Sequence, residues 1–420
     1  MRLQIKGGRV VDPASGRDAV GDVWVVEGKI SEGKGEKADR VIEAKGLVVA
    51  PGFIDLSARL REPGQEYKAT LESEMDAAVA GGVTSLACPP DTDPPLDEPG
   101  LVDMLRRRAK SLSRARVYPV GALTLKLEGT ALTEMAQLAE AGCVAFSQGN
   151  VPIADTQMLW RALQYAATFG FPVWLRAEDL WLAKGGVAHD GEVATRLGLP
   201  AIPAFAETIA LGTLLELTRA TGARVHVCRL SSAGAVELMR QAKAQKLPVT
   251  CDVAIHHVHL CDMDLGYFDS HCRLEPPLRS QRDRDALAQG LAEGVIDCLC
   301  SDHTPVDEDG KLRPFAEAEP GATGLELLLP LTLKWGAARE LALGPTLARI
   351  TSEPARILGV ASGRLGAGAP GDVAIFDPQA TLRVAPETLK SQGKNTPFAG
   401  YELAGRVRYT VVAGNVVYEM

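Results

Sequence analysis

The sequence predicts an α/β fold, a (β/α)8 barrel joined to a small β-sandwich-like domain built from both termini. Three observations predict it. Eight short apolar strands alternate with helical stretches through the middle of the chain. Each of those strands ends in a polar cluster, as strands do when they deliver side chains to a barrel mouth. The two ends of the chain differ in texture, with short alternating strands cut by turn residues, and neither end alone can bury a core. The barrel is therefore assigned to residues 51–360 and the composite β-domain to residues 1–50 and 361–420.

Taken in order, the first block reads Leu3-Gln4-Ile5, Gly21 to Val26, Lys29-Ile30 and Val41 to Glu43, with turns at Asp12-Pro13 and Glu27-Gly28. An apolar strand then runs from Leu47 to Leu56 and opens the barrel. The next seven strands are Val83–Cys88, Val117–Val120, Cys143–Phe146, Pro172–Leu175, Arg224–Cys228, Val249–Val253 and Ile296–Cys300. Helices fit between them at Thr70–Ala80, Leu101–Ser111, Thr133–Ala141, Thr156–Thr168, Phe205–Thr221, Ala233–Lys246 and Gln281–Glu293. The closing block repeats the first, at Gly371–Pro378 and Val407–Tyr418. Gly363 to Gly368 has a superficial dinucleotide-loop spacing, but it precedes a strand and reads as a turn. With no Gly-rich loop after the early strands, a doubly wound open sheet is disfavoured.

The 420 residues are 46% hydrophobic and 23% charged, ordinary for a globular protein. A net charge of −8 with no basic run standing out argues against nucleic acid as a partner. No apolar stretch reaches the roughly 20 residues of a membrane span, and Met1-Arg2-Leu3-Gln4 begins no signal peptide. A cytoplasmic location is the expectation. The eight cysteines form no Cys-x-x-Cys pair, so they read as buried thiols.

The strand ends carry the chemistry: Ser57/Arg59/Arg61, Pro90-Asp91-Thr92, Thr124-Leu125-Lys126, Ser147-Gln148-Gly149, Arg176-Ala177-Glu178, Arg229-Leu230-Ser231, Ile255-His256-His257 and Ser301-Asp302-His303. Alternation along a strand makes Ser57 and Arg59 face the same way.

These motifs resemble those of the dihydroorotases, cyclic amidohydrolases whose first strand ends Asp-x-His-x-His-Leu-Arg-x-Pro-Gly; here that stretch is Asp55 to Gly64. Gly81-Gly82-Val83-Thr84 with Pro90-Asp91-Thr92, Arg273 to Arg279, Ser301 to Pro305, Pro320 to Glu326 and Gly393 to Phe398 extend the resemblance over nearly the whole chain. It implies an amidohydrolase-type barrel. It also implies a place in pyrimidine biosynthesis, where the family interconverts N-carbamoyl-aspartate and dihydroorotate, usually with a zinc pair. The metals polarise the amide carbonyl and activate a water, and a last-strand aspartate shuttles the proton.

Carried over residue by residue, the ligand set is absent. The two first-strand histidines correspond to Ser57 and Arg59, the bridging acidic residue to Gln148 (or Gly149), and the later histidines to Arg176 and Arg229. Only Asp302 remains, as a remnant base. Guanidinium has no lone pair to donate, so no metal is expected. Arg61 keeps the position that grips a substrate carboxylate, while Asp91 and Glu275 replace family asparagines. Arg59, Arg176 and Arg229 are expected to neutralise Asp302 and Glu178, either as structural ion pairs or as a site for a small anion or a carbamoyl-aspartate-like ligand. His256-His257-x-His259 offers a relocated metal site, against which stands the family's use of that pair for other purposes. Asp307 to Lys311 reads as a solvated loop.

Two functions follow as expectations. One is a metal-free, non-catalytic homologue serving as a structural or regulatory subunit of aspartate transcarbamoylase, in an oligomer. The other is an active dihydroorotase or related cyclic-amide hydrolase, with Asp302 as base and the arginines as electrophiles.

Overall fold

The computed structural model describes residues 1–33 and 37–420. Two eight-stranded sheets account for most of its strands. The first is formed by β1 (Arg2–Asp12), β2 (Arg17–Val26), β3 (Lys29–Ser31), β4 (Arg40–Glu43) and β5 (Val48–Pro51) from the start of the chain. The second is the parallel barrel, β6 (Phe53–Asp55), β7 (Val83–Cys88), β8 (Arg116–Ala122), β9 (Ala145–Ser147), β10 (Val173–Leu175), β11 (Val225–Val227), β12 (Val249–Ala254) and β13 (Cys298–Cys300). β14 (Val373–Arg383), β15 (Glu402–Val412) and β16 (Asn415–Glu419) then return to the first sheet, whose order is β16-β15-β14-β5-β1-β2-β3 with β4 beside β1. The joint between the two ends of the chain is β14 against β5, antiparallel, pairing Val373 with Pro51 and Phe376 with Val48.

The apolar run from Leu47 to Leu56, expected as one strand, is two. It breaks at Gly52, whose amide bonds Asp372 O at 3.0 Å and whose missing side chain leaves space filled by Thr84. Residues before the break belong to the terminal sheet and those after it to the barrel. The barrel closes just beyond the strands, where Arg59 N bonds His303 O at 2.9 Å and His303 N bonds Ser57 O at 3.0 Å.

The barrel helices start and stop on local chemistry. Thr70 caps α1 (Leu71–Ala80) by accepting from Ser73 N, and Asp155 caps the helix Thr156–Phe169. Glycines with positive φ end several of them, such as Gly170, Gly222 and Gly294. α2 (Pro99–Leu112) lies against β8. One long helix, Leu328–Ala338, was not legible: it is buried over most of its surface and contains Pro330, so it shows little periodicity. The stretch 391–398, expected within the terminal domain, instead packs across the barrel. Asn395 bonds Thr304 O and Gly321 O at 3.0 Å each, and accepts from Val306 N at 3.0 Å. The stretch Asp307 to Lys311 is not a solvated loop throughout: Lys311 is buried and donates to the carbonyls of Ser270, Arg273 and Glu319.

An ion pair with a buried carboxylate ties the two sheets together. Arg116, at the start of β8, is paired with Asp372, which is 1% exposed, precedes β14 and also accepts from Ser362 Oγ at 3.0 Å and Ala413 N at 2.8 Å. Arg116→Ala should therefore cost about 2–4 kcal/mol in urea unfolding, because the carboxylate stays buried after its cation is gone.

Candidate functional site

The polar strand ends converge on the barrel mouth, and their side chains engage one another. Asp302 follows β13, and its Oδ1 accepts from Ser57 Oγ at 3.2 Å, Arg59 Nη1 at 3.2 Å and Arg229 Nη1 at 3.0 Å. Arg59 also bonds Asp91 Oδ2 at 2.8 Å and Thr304 Oγ1 at 3.0 Å. A second cluster lies beside the first. Arg176 grips Glu178 with both terminal nitrogens, at 2.7 and 2.8 Å, and reaches Glu275 Oε1 at 2.8 Å. Asn150 joins the two clusters. Its Oδ1 accepts from Arg59 Nη2 at 3.0 Å and Arg229 Nη2 at 2.7 Å, while its main-chain oxygen accepts from Arg176 at 2.8 Å.

Arg59, Arg61, Arg176 and Arg229 thus face Asp91, Glu178, Glu275 and Asp302, four charges against four. All four arginines lie within the mouth; Arg59, Arg176 and Arg229 are buried and Arg61 is nearly so. Burial favours the neutral form of a charged group, and a close opposite charge favours the charged form. Burial would raise Asp302, yet Arg229 and Arg59 hold it below the usual carboxylate range. Asp91 is likewise lowered, by Arg59 above all, against the effect of burial. Burial works against the Arg229 and Arg59 charges, but their carboxylate partners raise both above the ordinary guanidinium value. Arg61 is the exception: burial and the neighbouring Arg59 lower it to about 10.

The sequence-derived residues fare differently. Ser57, Arg59, Arg229, Asp91 and Asp302 come together in one network, with Arg176 and Glu275 in the adjoining one. Gln148 turns aside and pairs with the Thr124 hydroxyl at 2.8 Å. Arg61 does not point a free fork into the mouth, since its Nε bonds Pro305 O and its Nη1 bonds Gln65 Oε1, each at 2.9 Å. Asp91 and Glu275, expected as eroded substrate contacts, are ion-pair partners of Arg59 and Arg176. Asn150 was missed; its signal was its rarity, one of three asparagines in the chain, placed just past a barrel strand. Asp55 was missed too. It is fully buried, accepts from Ser301 N at 2.9 Å, and burial lifts it to about 6. Arg61, Arg229 and Asp302 hold φ of 61°, 55° and 46°, strained values for side-chain-bearing residues that cluster at built sites.

This donor set does not fit a zinc pair. Serine, three arginines and an amide turned elsewhere offer no imidazole or thiolate nitrogen or sulfur donor around Asp302. Among the described residues, His256, His257 and His259 enter no cluster of three metal-donor atoms. Residues 255–258 form a 3-10 turn, not an alternating strand, and His257 Nε2 bonds Pro276 O at 3.1 Å while His259 Nε2 bonds Leu331 O at 2.9 Å. His226, Cys228 and Asp252 bring three donor atoms within 4.8 Å inside the barrel. The imidazole there is already satisfied, by Thr250 Oγ1 at 2.8 Å and Asp252 Oδ2 at 2.9 Å, and burial pushes the Cys228 thiol far up, against thiolate formation. The cavity beside Gln148, Arg176 and Glu178 has a volume of about 50 Å³, room for water only.

The parallel barrel, its charged mouth and the sheet from both termini define an amidohydrolase-type protein. Residues 188–418 match the model of the Amidohydrolase family. Among solved structures, the L-hydantoinase (dihydropyrimidinase) of Arthrobacter aurescens superposes with a TM-score of 0.88 at 25% identity, covering 99% of this chain and 96% of that one. The dihydropyrimidinase of Brevibacillus agri gives 0.82 at 21% identity, covering 100% and 95%. Within that class, residues 46–235 match the Dihydro-orotase-like model. A dihydroorotase-like protein of Pseudomonas aeruginosa is 45% identical over the full length of both chains, and a dihydroorotase of Geobacter sp. is 41% identical over the full length of both. The chain belongs to the dihydroorotase-like family.

Asp302→Ala should destabilise the fold by about 3–5 kcal/mol in denaturant titration, because it leaves two buried guanidinium groups facing each other. A carboxylate kept only for catalysis would give little loss. Acid should also weaken the fold from near pH 6.5 downward. Burial lowers His256 to about 3 and His257 and His259 to about 4, so the unfolded chain takes up protons first as pH falls. Stability from these groups is full above the unfolded value and is lost as pH falls toward the folded ones. His256→Leu should make the decline of Tm between pH 6.5 and 4 shallower.

Proposed function

We propose that this chain is a metal-free, non-catalytic dihydroorotase homologue that acts as a structural or regulatory subunit of aspartate transcarbamoylase in pyrimidine biosynthesis. One observation carries this reading. The proton-shuttling carboxylate, Asp302, is held by two buried arginines that occupy family ligand positions. A general base needs a pKa near the working pH, and this carboxylate is held below the usual range with three donors on its Oδ1. The remaining mouth arginines are consumed as well: Arg176 by Glu178 and Glu275, and Arg61 by Pro305 O and Gln65. A carbamoyl-aspartate-like dianion would have to displace four carboxylates that already fill that role.

Support for a docking role comes from outside the mouth. Tyr67, Trp181, Met263, Tyr267 and Leu312 are exposed, each on a segment that follows a barrel strand. Exposed large apolar side chains are the kind of surface proteins use for association. Relatives named dihydroorotase, such as the Geobacter protein, favour a second reading, an active enzyme with Asp302 as base and arginines as electrophiles.

Metal analysis of the purified chain, paired with a dihydroorotate assay with and without added zinc, separates the two. Substoichiometric zinc and no turnover above background, together with co-elution with a transcarbamoylase on size exclusion, are the expected outcome. Stoichiometric zinc or turnover by the isolated chain favours the second reading.

A further inference from the structure

Between Arg106 and Arg116 the sequence holds six cations and no acid, in a chain whose net charge is −8. This local run is masked by the overall composition, and the fold gives it a shape. Arg108 turns away to Glu62. The other five line a groove of about 1090 Å³ between the C-terminal half of α2, the start of β8 and the β15–β16 hairpin. It lies by the β8 residues that begin the strand, so it is apart from the charged mouth beyond the strand ends.

Among the described residues, two of these cations have a close acidic partner. Arg114 is paired with Asp76 at 2.6 Å, and Arg116 with Asp372. Arg107 is 82% exposed with Asp103 no nearer than 3.7 Å. Arg106 bonds only the Ala141 carbonyl, and Lys110 has no acidic partner among the described residues. Arg106 and Lys110 stand four apart on one helix, where like charges repel. The helix dipole favours Lys110 in the last turn, but Arg106 and Arg107 lie before it. Among the described residues only Asp103, beside Arg107, and the Ala141 carbonyl, on Arg106, offset that cost, and an anionic partner would offset the rest.

The opposite side of the groove narrows the kind of anion. Val117, Val144, Val412 and Val417 supply an apolar floor. β16 ends its sheet, and among the described residues no strand pairs with its outer edge. An edge strand can accept an extended chain, whose side chains then alternate between two surfaces. Valines do not receive phosphodiesters, and the negative charge of the rest of the chain repels a long nucleic acid. We propose that this groove receives an extended acidic segment of a partner polypeptide, its acidic side chains against Arg106, Arg107 and Lys110 and its aliphatic ones on the valine floor.

The test uses the full chain and a fluorescently labelled ten-residue peptide of alternating glutamate and valine. Saturable binding that weakens with added salt is expected, and Arg106→Glu combined with Lys110→Glu should reduce it by at least about tenfold. Both positions are exposed, so the double variant should melt like the parent. Hydrogen exchange should show slower amides in residues 412–419 when peptide is bound. Absence of saturable binding, equal affinity in the double variant, unchanged exchange at 412–419, or tighter binding of inorganic triphosphate or single-stranded oligonucleotide than of the peptide would each overturn the proposal. None of these readouts depends on whether the barrel mouth is catalytic.

Discussion

The pairing of buried guanidinium with buried carboxylate at the barrel mouth is the constraint on which the rest of this structure depends. Taking Arg59, Arg176 and Arg229 out of water is tolerable because each meets a carboxylate at hydrogen-bond distance. Asp302 serves two of them at once and receives Ser57 as well. The same short stretch closes the barrel, through main-chain bonds between Ser57, Arg59 and His303. Charge balance and barrel closure are therefore one structural problem, solved by residues within a few positions of each other.

The replacements make sense only as a set. A histidine-rich mouth is organised by a metal whose charge satisfies several carboxylates together. Arginine brings its charge on a long arm and holds it with fixed geometry, so each arginine needs its own nearby acceptor. Asp91 and Glu275, where the family resemblance places amides, are those acceptors. Their negative charge looks like an obstacle to an acidic substrate when viewed singly; beside Arg59 and Arg176 it becomes the complement of a cation. Asn150 then supplies the neutral link between the two pairs, its oxygen shared by Arg59 and Arg229.

Much of this was legible before any coordinates. Strand ends with polar residues marked the mouth, and the ordered motifs marked the family. The resemblance and the charges gave Arg59, Arg176 and Arg229 as a set that neutralises Asp302 and Glu178; the structure divides them, Arg59 and Arg229 to Asp302 and Arg176 to Glu178. What stayed hidden depended on contacts between segments far apart in sequence. Thr84 fills the space a side chain at residue 52 would need, and the Pro305 carbonyl takes the Arg61 Nε, neither of which a local pattern reveals. The helix Leu328–Ala338 shows the other limit, since an element buried on nearly all sides carries little periodic signal. The basic segment from Arg106 to Arg116 was lost in an acidic average, a reminder that net charge describes a solution and not a surface.

The strap that carries Asn395 has a consequence for how the molecule is made. Asn395 bonds the main chain of Thr304, Val306 and Gly321, and nearby Ser391 Oγ reaches Glu74 at 2.6 Å, the same carboxylate that His303 contacts. Ribosomes deliver residue 395 about ninety residues after the last barrel strand, Cys298–Cys300. A nascent chain can therefore hold all eight strands while its lid is still inside the exit tunnel, with the carbonyls after β13 open to water. Completion of the mouth follows synthesis of the barrel, and the segment around Asn395 acts as its latch.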